Sequence, residues 1–109
     1  MAIIHPLAEE PELTQLLALC QAELQAAEIW IFGSRARGYH HPDSDWDILV
    51  VTRDDVPESI LDPINVYNLR RRSKLKCDLL VVTKSDFEDA QDSVTTLSYI
   101  VKREGIRIR

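Results

Sequence analysis

A chain of 109 residues with 45% hydrophobic content is long enough for one buried core and too short for two, so the length predicts a single domain over residues 1–109, with no second substrate-binding domain. The formal charge is −5, from 13 lysines and arginines against 18 aspartates and glutamates, and the basic residues are dispersed; this argues against direct nucleic-acid binding and suits a basic protein partner better. No stretch approaches the roughly 18 apolar residues of a membrane span and no leader-like segment opens the chain, so no membrane association is expected and the expected location is cytoplasmic.

Pro11 suits the first position of a helix, and Leu13, Leu16, Leu17, Cys20 and Leu24 follow at the spacing of one buried face, which predicts a helix over 11–26. A β-type run at 28–32 is ended by Gly33. A short helix is expected at 34–38, then a turn at His40-His41-Pro42-Asp43-Ser44, then a strand at 46–52. The adjacent pair His40 and His41 does not converge easily on a metal, and no cysteine lies nearby. Residues 57–73 have the length and basic C-terminal end of a helix, with Pro63 either kinking it or marking its real first turn after Asp62.

A third strand is expected at 76–82, with Ser85 or Asp86 capping a short helix to about residue 91. Val94, Leu97, Ile100 and Val101 have helical spacing, stopped by Gly105. The tail at 106–109 alternates like a strand edge and is a candidate to extend another chain's sheet. Cys20 and Cys77 have neither metal-type nor disulfide spacing and read as core residues, as do Trp30 and Trp46. The run Arg70-Arg71-Arg72 reads as a solvated helix end, with RNA or a triphosphate as the alternative partner.

The chemistry concentrates where polar residues meet strands. Asp45 and Asp47 project to one side of a strand about 6 to 7 Å apart, while Trp46 and Ile48 point to the other. Two carboxylates at that distance repel by roughly 2 kcal/mol at an effective dielectric near 20, a penalty that a divalent cation removes. With ten aspartates in the chain, Asp-x-Asp arises about once by chance, so the dyad alone carries no weight. The ordered combination does: Gly33-Ser34 at a strand end, the dyad entering the next strand, and Asp78 in a third.

Gly33 permits close approach of backbone to phosphate, and Ser34 adds a hydroxyl and an amide. Arg35 and Arg37 are candidates to grip the triphosphate bidentately, with a solvent-facing helical turn as the alternative. For Gly33-Ser34 the plain alternative is a turn and helix cap, for Asp45 and Asp47 a solvated turn and half-exposed strand, and for Asp78 an edge position paired with Lys76. Asp43, in the overlapping Asp43-Ser44-Asp45, precedes the strand and reads as a turn former.

Gly33-Ser34-Arg35-Ala36-Arg37-Gly38, the ten residues between Ser34 and Asp45-x-Asp47, and the acid of Cys77-Asp78-Leu79 resemble the minimal nucleotidyltransferases of the DNA polymerase β superfamily. More narrowly, the chain is similar to the MNT antitoxins encoded beside HEPN ribonuclease toxins. The resemblance implies an α+β (mixed α/β) fold, a small mixed β-sheet with helices packed on one face, and ATP as substrate with two Mg²⁺ ions. It implies a hetero-oligomer with a HEPN-family ribonuclease toxin, whose tyrosine receives AMP. The matching positions are Gly33 and Ser34 for nucleotide binding and Asp45, Asp47 and Asp78 for metal binding and catalysis. The companion helical domain usual in the superfamily is missing, so a partner is expected to bring the acceptor.

Three functions follow. The leading one is a magnesium-dependent protein adenylyltransferase acting as the antitoxin of a type VII HEPN/MNT pair. The second is a binding module that neutralises its toxin by occupying a surface. The third is transfer to a small molecule.

Overall fold

The computed structural model describes residues 10–38, 41–90 and 93–109. His40 and the helix end expected at Gln91 lie outside the described residues.

Helix α1 (Pro11–Glu23) starts with proline at its first turn, where a missing N–H costs nothing, and is followed by Leu24, whose N–H donates to the Cys20 carbonyl. It ends three residues short of the expected boundary because Gln25 takes a positive φ of 52° and turns the chain into strand β1 (Ala26–Phe32). The short helix α2 (Gly33–Arg37) closes on Gly38 in the left-handed conformation. Strand β2 (Trp46–Thr52) runs back antiparallel to β1.

Pro63 marks a true start. A short 3-10 turn (Glu58–Leu61) precedes it, Asp62 accepts from the Ile64 N–H at 2.8 Å, and helix α3 (Pro63–Ser73) follows. Strand β3 (Cys77–Thr83) then pairs parallel with β2, a pairing that needs a crossover of the kind α3 provides. Helix α4 (Lys84–Ala90) begins where Asp54 accepts from both the Ser85 N–H and its hydroxyl. Helix α5 (Leu97–Glu104) is capped by Thr96, whose hydroxyl accepts from Tyr99 N–H, and leads to β4 (Ile106–Arg107).

The sheet is mixed, in the order β3-β2-β1-β4. One face carries Ile29, Ile31, Trp46, Ile48, Val50 and Cys77, packed against Leu13, Leu16, Leu17 and Cys20 of α1 and Leu69 of α3. Outside this layer, the Arg72 guanidinium grips both oxygens of Glu23 and ties α3 to α1. Helices were expected on one face, and this is the larger layer. The opposite face is also covered: Trp30, Leu49 and Val51 pack with Phe87 of α4 and Val101 of α5. That smaller layer exists because Trp30 is itself apolar surface that needs cover, and Phe87 meets its ring at 5.9 Å. Asp47 and Asp78 stay accessible on the same face.

The tail does not wait for another chain. Ile106 and Arg107 pair antiparallel with Ile31 and Trp30, Ile108 N–H donates to the Ile29 carbonyl at 2.9 Å, and the Ile108 side chain is fully buried. Its alternation matches the chain's own core, and burial of Ile108 there outweighs an open edge. Trp30, Trp46, Cys20 and Cys77 are buried as expected. Burial pushes the thiols of Cys20 and Cys77 up to about 12 and about 11, which keeps them protonated and inert. Among the described residues no helix is long and apolar enough to cross a membrane.

Candidate active site

The register of three strands assembles the site. Phe32, at the end of β1, pairs with Asp47 of β2, and Asp47 pairs in turn with Asp78 of β3. Slippage of β2 by one residue would turn Asp47 into the layer under α1 and α3, so the burial of Ile48 and Val50 there holds the acid in place. Asp47 and Asp78 sit side by side across the strand pair, close enough for the charge of Asp78 to act on Asp47. Asp45 lies one residue ahead of β2 and lines the same groove.

Gly33 closes the other side of Asp47. Its φ is +71°, and a Cβ there would collide with Asp47 Oδ2, so both backbone conformation and space require glycine. Ser34 follows in the first turn of α2, half-buried beside this contact. The backbone of the Gly-Ser turn is thereby brought against the carboxylate, the closeness that phosphate and metal sites share.

Burial, first of all, raises the Asp47 pKa; the negative charges of Asp78 and Asp45 and the hydrogen bond with Asp78 raise it further. Arg37 pulls in the opposite direction, so its charge is felt at the site. Asp45 has a different neighbour, Lys76, with Oδ1 and Nζ 3.5 Å apart. Both side chains are well exposed, so this ion pair is weak and displaceable.

Asp47 and Asp78 fit a divalent cation by donor chemistry: abutting carboxylate oxygens, like charges, and a single opposing charge at Arg37. They do not form a finished cage. Among the described residues no group of three histidine, cysteine, aspartate or glutamate side chains is set to hold a metal ion, and Asp45 is engaged by Lys76.

Arg35 departs from expectation. Its guanidinium donates to the carbonyls of Ser44 at 2.8 Å and Pro42 at 3.1 Å and stacks 4.3 Å over the Trp46 ring. Trp46 points to the α1 face, opposite Asp47, so Arg35 clamps the 42–44 turn instead of facing the acids. The guanidinium finds nearby carbonyls and an indole face in its own fold, a different set of partners from the expected phosphate. Asp43 lies in this turn, and the His41 N–H donates to Ser44 Oγ, both as turn residues.

The acids open into a groove of about 680 Å³ between β3 and α3, with Tyr67 and Arg70 on its far wall. Lys76 and Tyr67 carry no motif and escaped sequence reasoning as groove residues, whereas Arg70 belongs to the basic run for which a triphosphate was the alternative partner. The basic run divides: Arg70 lines the groove and Arg72 pairs with Glu23.

Residues 13–106 match the family described as "Nucleotidyltransferase domain", and the chain belongs to that family. Two solved structures share its fold. One is a toxin-antitoxin with AMP-PNP, at a TM-score of 0.60 and 21% identity, over 92% of this chain and 73% of that one. The other is a mutant of the toxin-antitoxin MntA-HpeT, at 0.60 and 19%, over the same shares of 92% and 73%. No curated protein is similar enough to match the chain.

Proposed function

We propose that this chain is the antitoxin of a type VII HEPN/MNT toxin-antitoxin pair, a protein adenylyltransferase that moves AMP from ATP to a tyrosine of its cognate HEPN ribonuclease toxin. The observation that carries the reading is the contact of the Gly33 backbone with Asp47, itself face to face with Asp78. Family membership supports nucleotidyl transfer, and the similar folds of a toxin-antitoxin with AMP-PNP and of MntA-HpeT support the nucleotide and the partner.

Gly33 and Ser34 receive the β- and γ-phosphates, where the backbone can approach closely. Arg37 lends positive charge beside them. Two Mg²⁺, held by Asp45, Asp47 and Asp78, would supply charge stabilisation at the α-phosphate and the leaving oxygens. Asp78, on the side of Asp47 away from Gly33, takes the proton of the attacking hydroxyl. The tyrosine oxygen bonds to the α-phosphorus, the bond to the bridging oxygen breaks, and pyrophosphate leaves on the Gly33 side.

The test is label from α-labelled ATP appearing on the co-purified partner with magnesium and not with EDTA. No transfer by the intact chain to its true partner overturns the reading.

A specific observation favours a second reading. Asp45 is engaged by Lys76 at 3.5 Å, a contact that a module acting by occupancy alone would tolerate. If a variant carrying Asp45→Ala and Asp47→Ala still protects cells fully, sequestration suffices.

A further inference from the structure

The groove beside the acids has an unusual wall. Six consecutive residues, Lys76 to Val81, line it. Neighbouring side chains of a strand point to opposite faces, so a groove touching all of them follows the outer edge of β3. Among the described residues that edge is free, because β3 is the last strand of the sheet and pairs with β2 alone. It therefore presents an unpaired row of backbone donors and acceptors. Leu80 is 41% exposed on it, and Tyr67 of α3, 50% exposed, stands on the opposite wall.

Resting on the nucleotidyl-transfer reading above, the sheet order decides what enters here. Gly33 is on the β1 side of Asp47 and Asp78 on the β3 side. In-line displacement sets the attacking oxygen opposite the leaving pyrophosphate, so the acceptor arrives from β3. An extended polypeptide satisfies a free strand edge residue after residue, which a nucleoside or sugar does not. Arg70 on the α3 wall offers a partner to one acidic side chain of the acceptor.

We propose that the acceptor polypeptide docks as an added strand along the outer edge of β3, in the groove between that edge and α3, and so delivers its hydroxyl to Asp78. Leu80 and Tyr67 are then specificity-determining residues for the acceptor, and neither touches the nucleotide.

The experiment uses the full chain with magnesium and ATP. The probe is a seven-residue peptide matched to the length of β3, with a tyrosine, alternating valines and one glutamate. Two analogues carry N-methyl groups on the odd or the even residues. The expected result is slowed hydrogen exchange at the amides of residues 77–83 with the parent peptide. One N-methylated analogue should lose binding by about tenfold or more. Leu80→Lys should raise the KM for the peptide by about tenfold and leave the KM for ATP unchanged. Tyr67→Ala is the second variant, with the same split.

The proposal is overturned by parent-like binding of both analogues, by no protection at 77–83, or by no change in peptide KM in both variants. Protection that grows with protein concentration alone also overturns it, since a second copy would then own the edge. Protection by the peptide upholds the docking even where the co-purified partner takes no label, a result that sinks nucleotidyl transfer to tyrosine; label on the partner without protection at 77–83 does the reverse.

Discussion

Asp47 and Asp78 lie directly opposite each other in the parallel pairing of β2 and β3, and Asp47 is backed by a glycine whose Cβ would strike its Oδ2. A carboxylate so placed carries a penalty in the metal-free protein, and relieving it is what a bound cation would accomplish.

The pH dependence follows from that penalty. The Asp47 pKa is raised on folding, so between the ordinary carboxylate value of 3.8 and the raised folded value the native state binds more protons than the unfolded one. Stability contributed by this group is thus present at low pH and lost as pH rises through the folded pKa. Thermal melts without metal should show this decline, magnesium should flatten it, and Asp47→Asn should remove it. Above that window Asp47→Asn should raise the metal-free Tm while abolishing transfer.

Gly33→Ala meets two obstacles, the φ of +71° and the Asp47 carboxylate. A loss of about 1 to 3 kcal/mol in denaturant unfolding is expected. Nucleotidyl transfer should fall by at least about a hundredfold, since the residue that must shift is Asp47.

Lys76→Ala frees Asp45. Magnesium should then half-saturate the protein at a severalfold lower concentration, read by calorimetry. Stability should change by less than about 0.5 kcal/mol, because the pair is exposed.

The two arginines of α2 should separate cleanly. Arg35→Ala removes the clamp on the 42–44 turn and the stack on Trp46, costing about 1 to 2 kcal/mol of stability with little direct effect on the KM for ATP. Arg37→Ala should leave stability unchanged and raise the KM for ATP by about tenfold.

Ile108→Ala tests the tail. Its side chain is fully buried in the larger core layer, so a loss of about 2 to 4 kcal/mol is expected. A tail reserved for another chain's sheet would cost nothing to truncate.

Local rules made much of this molecule readable. The leucine spacing of 13–24 located α1, the β-branched run at Ile48–Val51 located β2, and Pro63 following Asp62 offered the helix start that the cap confirms. The alternation of Asp47 with Trp46 and Ile48 foretold that the acid and these apolar side chains face opposite ways, while the cover over Leu49 and Val51 on the side of Asp47 was not foretold. What stayed hidden were relationships between segments. No spacing shows that Arg35 turns to Trp46 while Arg37 is felt by Asp47, or that Ile106–Arg107 pairs with β1 and sets β3 at the opposite end of the sheet.

The amino-acid order alone thus determined the elements and the residue types able to hold phosphate and cations, because helix caps, glycine conformations and side-chain periodicity act within a few residues. Tertiary structure alone decided that Asp47 faces Asp78, that Lys76 holds Asp45, and that a groove follows β3. Those facts depend on strand order and register, which are set by burying Trp46, Ile48 and Val50 under two helices.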